Sequence, residues 1–135
     1  MPPRNPVTVE VDVTRNVVSL SFSGVIRATD MPRYADEIAR ALKSVNPGFT
    51  LLTDLTDLAK MELGCVPPLE QTMDLARDRG VKLVVRIIPD RSKDIGMSIL
   101  SLFHYPRNLR IVTTETRAEA AQVLPKRPLP RQPAL

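Results

Sequence analysis

Val7, Val9, Val11 and Val13 alternate with Thr8, Glu10 and Asp12, the period of two that sets one face of a strand against a core. Arg15-Asn16 offers a turn. Val18, Leu20 and Phe22 then resume the alternation against Ser19, Ser21 and Ser23, which predicts a hairpin whose end Gly24 breaks or bulges. The period next changes to a helical one. Tyr34, Ile38, Ala41, Leu42 and Val45 follow a start signal at Thr29 or Asp30 with Pro32 in the first turn, and Asn46-Pro47-Gly48 stops the helix. A third strand is predicted over 49–55, then a loop, then a helix from Pro67-Pro68 through Leu69, Thr72, Met73 and Ala76 to Arg79-Gly80. Residues 81–88 form the run richest in β-branched side chains, closed by Pro89-Asp90. A third helix over 92–105 carries Ile95, Ile99, Leu102 and Phe103 on one stripe. It is followed by a strand over 109–113 and a last helix over 116–124, which Thr116 caps with Glu119 behind it.

The resulting order is ββαβαβαβα. Strands separated by single helices run parallel, so the expected fold class is α/β: one domain with a five-stranded mixed sheet, an opening hairpin and helices mainly on one face. In the fourth strand Val81, Leu83, Val85 and Ile87 share one face, and Lys82, Val84, Arg86 and Ile88 the other. Two cations within a strand argue for a second face that is partly open and polar. Residues 7–124 constitute the expected domain, 1–6 and the Pro/Arg-rich 125–135 being disordered tails.

Composition narrows the function classes. The net charge of +4 points at first to nucleic acid, but Arg4, Lys126, Arg127 and Arg131 all lie in the tails, and the expected domain is left neutral. No nucleic-acid partner is expected. One cysteine excludes an internal disulfide, and one histidine with one cysteine makes no zinc site of usual ligand count; no metal or other cofactor is expected. No apolar run approaches the roughly 20 residues of a membrane span, and no apolar leader opens the chain, so the expected location is the cytoplasm.

Three stretches carry a resemblance to a known family: Leu51-Leu52-Thr53-Asp54-Leu55-Thr56 at the third strand, Ala76-Arg77-Asp78-Arg79-Gly80-Val81-Lys82-Leu83 at the following helix-to-strand junction, and Glu119-Ala120 in the last helix. With their order and spacing, the chain resembles the STAS family of SpoIIAA-like anti-sigma-factor antagonists of bacteria over nearly all of 7–124. The resemblance implies that fold and a regulatory protein partner. It also implies a loop of a hydrophobic residue, Asp, Ser, Ser and Gly, whose second serine is phosphorylated. Met61, Glu62, Leu63, Gly64 and Cys65 stand there instead. Glycine has no hydroxyl, so the usual switch is absent at Gly64.

The partner-binding loop is therefore expected at Thr56, Asp57, Met61, Glu62, Leu63, Gly64, Cys65 and Val66, with Met61, Leu63 and Val66 as apolar anchors. Thr56 is the candidate replacement phosphoacceptor. Cys65, near a helix start, is either an activated thiol or a space-filling one. Asp54, Asp57 and Glu62 form an acidic group that either binds Mg²⁺ or acts as acid and base, or else caps loops and helices or stays solvated. His104 is expected to be structural. Lys82, Arg86 and Arg110 are expected to converge on the open face as an anion-binding surface, the alternative being pairing with acids across the strands. The expected function is non-catalytic protein recognition, with no catalytic residue. The alternative is a carrier or sensor of a small apolar ligand or lipid held between helices and sheet, prompted by the apolar Met97-Ile99-Leu100-Leu102-Phe103 segment. A homodimer through the open face or third helix is a further expected arrangement.

Overall fold

The computed structural model describes residues 5–90 and 104–125. The helix expected over 92–105, with its apolar segment, lies outside the described residues except for His104 and Tyr105, as does nearly all of the C-terminal tail. The described elements are β1 (Val7–Asp12), β2 (Val17–Ile26), α1 (Met31–Ser44), β3 (Thr50–Met61), a 3₁₀ turn (Leu63–Cys65), α2 (Val66–Asp78), β4 (Leu83–Ile87), β5 (Arg110–Thr114) and α3 (Arg117–Val123). The strands form one sheet in sequence order. The β1–β2 pair is antiparallel and the other pairs are parallel, so the sheet is mixed as the alternation predicts. Asn16 makes the hairpin turn at φ 58, a backbone region that asparagine tolerates better than most residues.

Helices α1 and α2 lie on one face. Tyr34, Ile38 and Leu42 of α1, with Leu69, Met73 and Ala76 of α2, pack on Val18, Leu20 and Phe22 of β2, Leu51 and Leu55 of β3, and Val84 of β4. Fully burying side chains such as Ile38 and Leu42 contributes about 1.5–3 kcal/mol each, so this layer dominates stability. Helix α3 covers part of the opposite face: Ala120 packs on Leu83, Val85 and Ile87 with Leu52 and Val112. The side chain of Thr116 accepts the backbone N–H of Glu119 at 3.1 Å, the expected cap. Helices thus sit mainly, though not wholly, on one face.

Two expectations change. The third strand does not end at Leu55 but runs on to Met61, because β2 continues past Gly24 and keeps pairing through Val25 with Lys60 and Ile26 with Met61. Register shifts between Ser21 and Ser23 and between Gly24 and Val25 allow this, and they also break the period-two pattern that would have announced the extension. Thr56, Asp57 and Met61 are consequently strand residues rather than loop residues. The second change concerns Arg86. It does share a face with Val84 and Ile88, but that face is the one under the helices, and Arg86 is only 2% exposed.

Candidate functional site

The segment after β3 is held tightly. The backbone N–H of Glu62 donates to the carbonyl of Ile26 at 3.1 Å, and the Glu62 carboxylate accepts the N–H of Ala28 at 2.8 Å. The N–H of Cys65 then closes the 3₁₀ turn on the Glu62 carbonyl at 2.9 Å. Gly64 sits so close to Ala28 that a Cβ at position 64 would lie 2.6 Å from the Ala28 Cβ. Glycine is required there by contact, not by backbone angle. Leu63, beside it, is 88% exposed. A groove of about 180 Å³ runs along this edge, lined by Met61, Glu62, Leu63, Val66 and Leu69. The structure therefore brings together Met61, Glu62, Leu63, Gly64 and Val66, while Thr56 and Asp57 lie further back along β3.

Cys65 does not belong to that surface. It is fully buried, and its Sγ points to the carbonyl of Ile26 at 3.8 Å. Burial, and then the charge of Glu62, push its thiol above the ordinary value. Cys65 thus packs as a member of the buried core rather than on the surface that Met61, Leu63 and Val66 share.

At Asp54 and Asp57 the structure supplies a residue that sequence reasoning missed. Arg117, at the start of α3, donates from Nε to Asp54 at 2.7 Å and from Nη2 to Asp57 at 2.9 Å. Asp54 also accepts from Thr56 twice, from the backbone N–H at 2.9 Å and from the hydroxyl at 2.5 Å. Burial works against the Asp54 charge, but the bonds from Arg117 and Thr56 outweigh it and hold the carboxyl below its ordinary value. These acids have a guanidinium as their counter-charge, and Glu62 is engaged elsewhere with Ala28. The hydroxyl of Thr56 is occupied as a donor to the Asp54 carboxylate, a poor setting for a phosphoryl dianion.

His104 likewise has partners the sequence did not disclose. Its Nδ1 lies 2.7 Å from Asp74 and its Nε2 2.8 Å from Glu70, two acids one turn apart on α2. The bond to Asp74 is the largest cause of a raised imidazole pKa, opposed by burial and reinforced by Glu70. Arg77 ties the same place by donating to the His104 carbonyl at 3.3 Å and to Asp74 at 3.2 Å. This is a docking contact of the segment that precedes β5.

The expected cationic surface is divided. Lys82 and Arg110 are both exposed and near one another, whereas Arg86 lies on the opposite side of the sheet among Leu20, Thr53, Thr72 and Tyr105. Burial pushes Tyr105 up to about 12 while the charge of Arg86 pulls the other way. The cavity among these residues measures about 20 Å³, room for roughly one water. Among the described residues no helix is long and apolar enough to cross a membrane.

No protein-family model matches the chain, and no curated protein sequence does. Solved structures do. An uncharacterized protein of the DUF3478 family with a SpoIIAA-like fold from Shewanella loihica PV-4 matches with a TM-score of 0.62 at 16% identity, covering 87% of this chain and 91% of its own. The anti-sigma factor antagonist SpoIIAA in its unphosphorylated form matches with a TM-score of 0.59 at 15% identity, over 87% of this chain and 94% of its own. An anti-sigma factor antagonist from Mycobacterium paratuberculosis matches with a TM-score of 0.57 at 19% identity, over 92% of this chain and 98% of its own. The chain has the SpoIIAA-like fold, as its element order and strand-end motifs imply.

Proposed function

We propose that this protein is a non-catalytic regulatory interaction domain that docks a protein partner on the surface formed by Met61, Glu62, Leu63 and Val66. The observation that carries this reading is Leu63. A large aliphatic side chain 88% exposed on a turn fixed at both ends is a pre-organised anchor, since little conformational entropy is left to lose on binding. The adjoining groove of about 180 Å³ has room for one or two apolar side chains of a partner. Two of the similar structures are anti-sigma factor antagonists, which supports a regulatory role in protein binding for a domain of this fold. Phosphorylation at the position resembling the switch serine plays no part, because Gly64 offers no acceptor and no space for one. Thr56 is a poor replacement acceptor, because its hydroxyl already donates to the Asp54 carboxylate.

A carrier of apolar ligands draws less support: among the described residues, the cavity lined by Leu20, Phe22, Ile38, Arg86 and Tyr105 measures about 20 Å³, far below the roughly 300 Å³ at which small-molecule sites begin. Native mass spectrometry of the protein purified from its own host tests both readings. A stoichiometric protein partner is expected with the wild type and absent with Leu63→Asp, circular dichroism being the same for both. Co-purified lipid without a protein partner, or a partner retained in full by Leu63→Asp, would refute the proposal.

A further inference from the structure

A second depression lies at the other end of the parallel strands, on the sheet face opposite α1 and α2. It measures about 370 Å³ and is lined by Arg15, Asn16, Gly48, Thr50, Lys82, Leu83, Arg110 and Pro125. We propose that it binds a phosphoryl group of a small molecule. The argument begins with charge. Three cations contribute to the lining and no carboxylate does. Arg15 is partly compensated from behind by Asp12, 3.8 Å away, but no ion pair or side-chain hydrogen bond holds Lys82 or Arg110 among the described residues. Arg77, Arg79 and Arg117, by contrast, are each engaged with carboxylates or backbone carbonyls. Like charges gathered in a concave site repel one another, and an anion relieves that repulsion.

The walls are fixed before any ligand arrives. Arg15 donates from Nε to the Pro125 carbonyl at 2.6 Å, which orients its guanidinium. The N–H of Gly48 donates to the Gly80 carbonyl at 2.7 Å, that of Lys82 to Phe49 at 2.9 Å, and that of Thr50 to Asn16 at 3.0 Å. Arg110, Leu83 and Thr50 occupy one row across three paired strands, so their spacing is set by the sheet. Guanidinium groups and an ammonium match the tetrahedral oxygens of a phosphoryl group, and the volume falls within the range of small-molecule sites. The expected trio from the sequence, Lys82, Arg86 and Arg110, becomes Arg15, Lys82 and Arg110.

Titration of the full chain with inorganic pyrophosphate at constant ionic strength, followed by amide NMR shifts, tests the assignment. Saturable shifts are expected at Asn16, Gly48, Thr50 and Leu83. Lys82→Ala and Arg110→Ala, both exposed, should each weaken binding about tenfold or more. Leu63→Asp should leave it unchanged, which separates this site from the protein-docking surface. Phosphatidylcholine vesicles doped with phosphatidic acid form the second arm: binding there alone, and lost in Arg110→Ala, would assign the phosphoryl group to a lipid headgroup. Absence of binding in both arms, or binding by Arg110→Ala equal to the wild type, would overturn the proposal.

Discussion

A Cβ at position 64 would stand 2.6 Å from the Cβ of Ala28, a separation that real side chains do not adopt, so the turn before α2 closes on the loop before α1 only because Gly64 has no side chain. Restoring a hydroxyl is therefore costly. Gly64→Ser is expected to destabilise the fold by about 1–3 kcal/mol, the usual range for overpacking. In urea unfolding, Gly64→Ser combined with Ala28→Gly should cost less than the two single changes added together, since the pair is in direct contact. Strict additivity would show that the turn moves aside and that the position is open.

The Asp54–Arg117 pair makes a second prediction, about acid. The carboxyl of Asp54 is held below its unfolded value of about 3.9, so its contribution to stability is complete above that pH and disappears as pH falls through the lower, folded pKa. Asp54→Asn should thus lower stability at neutral pH, and the difference from wild type should shrink below about pH 4. Arg117 is 57% exposed, which keeps its share modest. Chemical denaturation at several pH values provides the check, and a pH-independent difference would contradict the ion pair.

How much of this was legible in the sequence differs by element. The hairpin, α1, α2 and the Thr116 cap follow from local signals: alternation, a helical stripe, Pro32 and Pro67 in first turns, and Thr116 with Glu119. The extension of β3 to Met61 was hidden, because the extra residues that β3 carries opposite β2 spoil the period on which strand reading relies. Partnerships between distant residues left no local trace: Arg117 with Asp54 and Asp57, His104 with Glu70 and Asp74, and Ala28 with Gly64. Glu70 and Asp74, one turn apart, were a visible acidic pair, but nothing in the sequence pointed to the histidine they hold.

Arg86 shows how a correct alternation can yield the wrong environment. The alternation gives its face, but a cation in a strand does not by itself mark solvent: Thr53, Thr72 and Tyr105 lie around it beneath the helices. Its substitution is consequently a folding change rather than a binding change. Arg86→Glu should cost at least about 3 kcal/mol, because a carboxylate would be placed in a site built around a cation. Arg110→Glu, exposed on the same sheet, should stay within about 0.5 kcal/mol. Equal stabilities of the two variants would place Arg86 in solvent and contradict the fold.

The clamp on His104 gives a stability dependence of the opposite sign to that of Asp54. Both ring nitrogens face carboxylates, and only the doubly protonated imidazolium donates to Asp74 and Glu70 together. Its folded pKa is raised above the unfolded value of about 6.5, so the stabilisation is fully present below that pH and is lost as pH rises through the folded pKa. Arg77, bonded to Asp74 and to the His104 carbonyl, continues to hold the main chain when the ring is neutral. The segment should then loosen without detaching. The stability difference between wild type and His104→Gln is expected to be largest near pH 5.5 and to shrink by about pH 9. Hydrogen exchange at the Tyr105 amide should accelerate over the same interval in the wild type and change less in His104→Gln, after correction for the intrinsic pH dependence of exchange. If the difference grew with pH, the imidazole would be stabilised in its neutral form and the double clamp would be wrong.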